Sequence, residues 1–173
     1  MTQPKTPATE VWQRGPVPGV DPLLMPVAHA LLQVQEDLRA LAARVADEHA
    51  WTRPGGAASI AFHVRHIAGS TDRLLTYARG EALSDAQRAA AKGESTEDPP
   101  RPLLQHLVDE TVAALDRALE QVKTTPRESL LDPREVGRQR LPSTTLGLLF
   151  HAAEHATRHA GQALTTARIL SGQ

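Results

Sequence analysis

Thirteen prolines punctuate this chain and leave four long proline-free blocks, 27–53, 55–98, 103–125 and 143–173. A proline in a helix interior removes a hydrogen bond and clashes with the preceding turn, at a cost of ~3 kcal/mol or more. The simplest organisation is therefore one helix per block. Each block also carries apolar residues at steps of three and four, the spacing of a single helical stripe. In the first, with Leu24 just ahead of it, these are Val27, Leu31, Val34, Leu38, Leu41 and Val45, predicting a helix from about 23 to 47 with Pro26 in its first turn. In the second they are Ile60, Val64, Ile67, Leu74, Leu75 and Ala78, predicting a helix over about 57–79 that stops at Gly80. Leu104, Leu107, Val108, Val112, Leu115 and Leu119 predict a third over about 102–123. The fourth, capped by Ser143, carries Leu146, Leu149, Phe150, Ala153, Leu164 and Ile169. Gly147 and Gly161 interrupt it and are expected to allow close helix approach, since an interior glycine costs ~1 kcal/mol against alanine.

The intervening segments read as connections. Ser84 is placed to cap a short helix over 84–92. Lys92 to Pro102 is polar and proline-rich and reads as a mobile loop, and 124–142 reads as irregular. Residues 1–22 hold five prolines and two glycines and read as an extended arm, with Trp12 expected to pack back on the body. No useful alternating strand pattern appears. The expected fold is all-α: a four-helix bundle over 23–171 with an extended N-terminal arm, 1–22.

Composition narrows the function. Nineteen basic residues face twenty acidic ones with no basic stripe, which argues against nucleic-acid binding. Without cysteine, disulfides, iron–sulfur clusters and thiolate zinc sites are excluded. No stretch approaches the ~20 apolar residues of a membrane span, and the N-terminus lacks a signal-peptide pattern. A cytoplasmic location is the expectation.

Histidine is where chemistry concentrates. His151, His155 and His159 recur at steps of four, so their side chains share one helical face. His63 and His66 lie beside the apolar stripe of the second helix. Five histidines in two clusters are a costly way to fill a bundle, because each buried ring needs two hydrogen-bond partners. An i, i+4 pair plus one histidine from a neighbouring helix instead makes a three-nitrogen metal site with open positions, the layout of a catalytic centre. Imidazole donors suit zinc, nickel, iron or copper. Spacing alone does not choose between His63 and His66, or between 151/155 and 155/159. Glu154 sits off the stripe, placed to pair with Arg158, and a zincin-type glutamate base is absent. His29, His49 and His106 read as ordinary surface or helix-end residues.

The stretches Pro54-Gly55-Gly56-Ala57 through His66 to Gly80, and Val136 through His151-Ala152-Ala153-Glu154-His155-Ala156-Thr157-Arg158-His159 to Gln162, resemble the DinB/YfiT-like metalloenzyme superfamily. The similarity runs from about Trp12 to Leu170. It implies an up-down-down-up four-helix bundle that binds a divalent metal, zinc or nickel foremost, through His66, His155 and His159. His63 and His151, one turn before a ligand on each helix, are then candidates for supporting contacts or proton transfer. The resemblance also implies a homodimer and a small-molecule reaction, such as thiol-dependent transfer or hydrolysis. A binding or stress-response module with a structural metal is the alternative. Arg138 and Arg140, with Arg134, are expected near the site mouth, where they would steer an anionic substrate or simply form a solvated basic loop.

Overall fold

A long helix occupies each proline-free block in the computed structural model, which describes residues 9–96 and 101–172. These are α1 (Met25–Ala42), α3 (Ile60–Ala78), α5 (Leu104–Thr124) and α6 (Thr145–Ser171). Two short helices, α2 (Asp47–Ala50) and α4 (Asp85–Gly93), lie between them. Residues 1–8 of the expected arm and 97–100 of the expected loop fall outside the described residues.

Side-chain bonds between helices fix their directions. Thr111 Oγ1 donates to the Val64 carbonyl and Gln121 Nε2 to the Leu75 carbonyl, so α3 and α5 run parallel. Gln35 donates to Asp116, and Asp47 accepts from the Leu104 amide, so α1 and α5 run antiparallel. His63 meets His159 while His66 meets His155, so α3 and α6 are antiparallel as well. The result is the up-down-down-up bundle, with each long helix packed on two neighbours. The fully buried side chains Leu31, Leu38, Ile60, Ile67, Leu104, Leu115 and Leu149 fill its centre.

Local chemistry sets the boundaries. Ser59 caps α3 by accepting from the Phe62 amide, and Gly80 takes a φ of +78° just beyond its end. Ser84 and Gln87 form a capping box on α4, as the sequence suggests. The cap of α6 is Thr144, which accepts from Gly147, and not Ser143. Ser143 is instead paired with Arg134 in a two-stranded hairpin, β1 (Pro133–Val136) and β2 (Leu141–Thr144). Four-residue strands are too short for alternation to register, so this segment reads as irregular from sequence. The first helix ends at Ala42, five residues early, and turns into α2.

Three packing expectations are corrected. Trp12 is 61% exposed and its indole N–H donates to Glu10; the residue that anchors the arm is Val11, buried with its amide on Gln33. An Arg14–Glu36 ion pair adds a second tie. Phe150 and Ile169 are 58% and 60% exposed, so the buried face of α6 is alanine-rich instead. Gly161 has open space where a Cβ would lie, and a Cβ at Gly147 would meet only the cap side chains Ser143 and Thr144. Neither glycine serves a close helix approach. No described helix is long and apolar enough to cross a membrane.

Two residues that share the sequence signature of core positions should therefore behave differently. Leu115→Ala, at a fully buried site, is expected to cost about 2–5 kcal/mol in urea denaturation. Ile169→Ala should stay within about 0.5 kcal/mol.

Candidate metal centre

The antiparallel pairing of α3 and α6 brings the two histidine stretches together in reverse order. His63 Nδ1 lies 3.0 Å from His159 Nδ1, and His66 Nε2 lies 2.9 Å from His155 Nε2. One ring nitrogen from each of His66, His155 and His159 lies within 4.8 Å of the other two. His63 is buried beside His159, and His66, His155 and His159 are half-buried. His151 stands one turn before His155 on α6, exposed, its ring 5.5 Å from that of His155 and its Nδ1 3.4 Å from Glu154. Phe62 stacks on the His66 ring at 5.5 Å and 7°. Glu154 also pairs with Arg158.

The hairpin arginines lie elsewhere. Arg134 Nε donates to the Ala78 carbonyl at the end of α3, and Arg140 pairs with Glu135. Arg138 is on the turn between the strands. Ala78 is twelve residues beyond His66, or ~18 Å along the helix axis. The structure does not bring Arg138 or Arg140 to the histidine cluster.

One residue of the cluster is missed by sequence reasoning. Glu94, inside the stretch expected to be a mobile loop, is buried, and its Oε2 accepts from His66 Nδ1 at 2.7 Å. Arg73 binds both oxygens of the same carboxylate. The carboxylate lies against Gly69, where a Cβ would come within 2.0 Å of Glu94 Oε1. A glycine inside α3, three residues after His66, is the sequence signal that could have pointed there.

Electrostatics keep three of the histidines unprotonated. Burial, then repulsion from His66, lowers His63, His155 and His159 below the ordinary histidine value, His159 to about 4. Their rings are neutral at pH 7, the form that has a lone pair to give a metal. Burial pushes Glu94 upward, but the hydrogen bonds from His66 and Arg73 outweigh it and hold the carboxyl below its usual range.

The donor set fits a divalent ion. At a Zn–N distance of 2.0–2.1 Å, two tetrahedral ligand nitrogens stand ~3.3 Å apart. The His66–His155 pair at 2.9 Å is a few tenths of an ångström from that spacing. His155 Nδ1 is buried with no partner among the described residues, so the cluster is not closed by its own hydrogen bonds. His66, His155 and His159 supply three ring nitrogens, with Glu94 on the second nitrogen of His66 and His63 Nδ1 against His159 Nδ1.

A sequence model described as the DinB superfamily matches residues 30–163. Among solved structures, a conserved protein from Enterococcus faecalis superposes with a TM-score of 0.67 at 19% identity. It covers 87% of this chain and 98% of its own. That likeness shows the fold. No curated protein matches the chain.

The lowered histidines give the metal-free protein a definite pH response. Between the unfolded value of about 6.5 and the folded value of about 4 for His159, the unfolded chain binds protons that the folded chain does not. Stability is thus intact above about pH 6.5 and falls as pH drops toward 4. Thermal melts in chelator across this window should show that fall, and His159→Gln should make it shallower.

Proposed function

Because the chain belongs to the DinB superfamily, we propose that it is a divalent-metal-binding protein working as a metal-dependent enzyme, a thiol-dependent transferase or a hydrolase. The convergence of one nitrogen each from His66, His155 and His159 within 4.8 Å carries this reading. Zinc and nickel suit three imidazole donors. When bound, such an ion lowers the pKa of a thiol or water at its open position.

The chain's own residues do the rest. His63, buried, steadies the His159 ring through the contact between their Nδ1 atoms. Glu94 holds His66 at Nδ1, and Phe62 covers one face of the same ring. His151 is exposed beside His155 with its Nδ1 3.4 Å from Glu154, a placement between the cluster and solvent that suits a proton carrier. The substrate would be a small molecule. Exposed Phe150 and Trp12 border an apolar groove between α1 and α6, and this supports a homodimer through that face, testable by light scattering.

Elemental analysis of untagged protein tests the metal directly, with one zinc or nickel per chain expected. His66→Ala, His155→Ala and His159→Ala should each abolish uptake, whereas His151→Ala should only weaken it. Equal loss for all of the α6 variants would shift the ligand set. Metal-loaded protein should then turn over a low-molecular-weight thiol with an electrophile, and His155→Ala should not. A chelator that lowers the melting temperature strongly, with no turnover under any condition, would favour the structural-metal module.

A further inference from the structure

We infer that Glu94 is the positioning residue of the metal centre, fixing the ligand tautomer of His66 and coupling α4 to metal occupancy; this rests on the metal reading above. With Oε2 accepting at Nδ1, the His66 proton is assigned to Nδ1 and the lone pair to Nε2, the atom that faces His155. A carboxylate on the far side of a ligand histidine both orients the ring and raises its basicity. Arg73 grips the same carboxylate and keeps it from rotating away. The approach is possible because residue 69 has no Cβ.

Glu94 is not a bundle residue. It follows the last residue of α4, a helix with no buried side chain of its own. α4 is tied to α3 by polar contacts: Gln87 to Asp72 and Thr76, and Arg65 to the carbonyls of Gly93 and Thr96. The Glu94 contacts to Arg73 and His66 complete this set, and the last of them ends on a metal ligand. Whatever strengthens the His66–Glu94 bond must hold α4 down, and a docked α4 must favour the metal by the same factor.

Zinc affinity measured by competition with a chromophoric chelator tests this on the full chain. Glu94→Ala should bind ~10–100-fold more weakly than wild type, and Glu94→Gln less so, because its amide oxygen still accepts from Nδ1 without the charge. Gly69→Ala should weaken binding as well, although alanine favours the helix. Gln87→Ala, which cuts an α4 tether away from His66, should weaken zinc binding less than Glu94→Ala does, because only the docking of α4 is loosened. The cobalt(II) absorption spectrum should shift in Glu94→Ala, and zinc should slow amide exchange in α4 of wild type but not of that variant. Wild-type affinity in both Glu94→Ala and Gly69→Ala overturns the inference. Equal weakening by Gln87→Ala overturns it too, since Glu94 would then act only through the docking of α4. A wild-type chain that takes up no zinc overturns this inference together with the metal reading, whereas the other two outcomes leave that reading standing.

Discussion

The antiparallel seam between α3 and α6 is the constraint on which the rest of the molecule depends. Between Leu149 and Thr166 the buried residues of α6 are Ala152, Ala153, Ala156, Ala160 and Ala163. Side chains this small let a second helix approach closely, and α3 presents Ala61 among its buried residues. The histidines flank this seam without filling it. A step of three on α3 advances ~4.5 Å and a step of four on α6 retreats ~6 Å. The mismatch is small enough that two successive ring pairs, His63–His159 and His66–His155, both come within hydrogen-bond distance. With α3 parallel to α6 the order would reverse, and His63 would face the wrong end of the ladder.

Much of this was legible in the chain. Proline spacing gave the helices, and the apolar stripes of α1, α3 and α5 gave their buried faces. The histidine steps gave a shared face on each helix, but the choice of His66 over His63 came from family resemblance. What stayed hidden was whatever depends on neighbours. Phe150 and Val11 cannot be sorted into exposed and buried without knowing which face of the bundle is left uncovered. The hairpin at 133–144 is too short for periodicity, and it draws Ser143 away from capping α6. Glu94 was hidden for a different reason. It sits in a polar, proline-rich run, and its burial is bought by two residues twenty or more positions away, His66 and Arg73.

The charge of the cluster follows from that last arrangement. His155 and His159 are neutral, and the carboxylate of Glu94 is matched by the guanidinium of Arg73. The protein would therefore bring no net negative charge to a divalent ion held by His66, His155 and His159, and the ion's charge would stay largely uncompensated. In such a site the ion dominates the local field and favours an anion as the remaining partner. Closed structural zinc sites have four protein ligands, whereas sites with three leave a position for water or substrate. Among the described residues the group that can hold a metal has three members. A thiolate or hydroxide is the partner this imbalance would favour, and that is the physical ground on which the proposed open centre rests, against a staple between two helices.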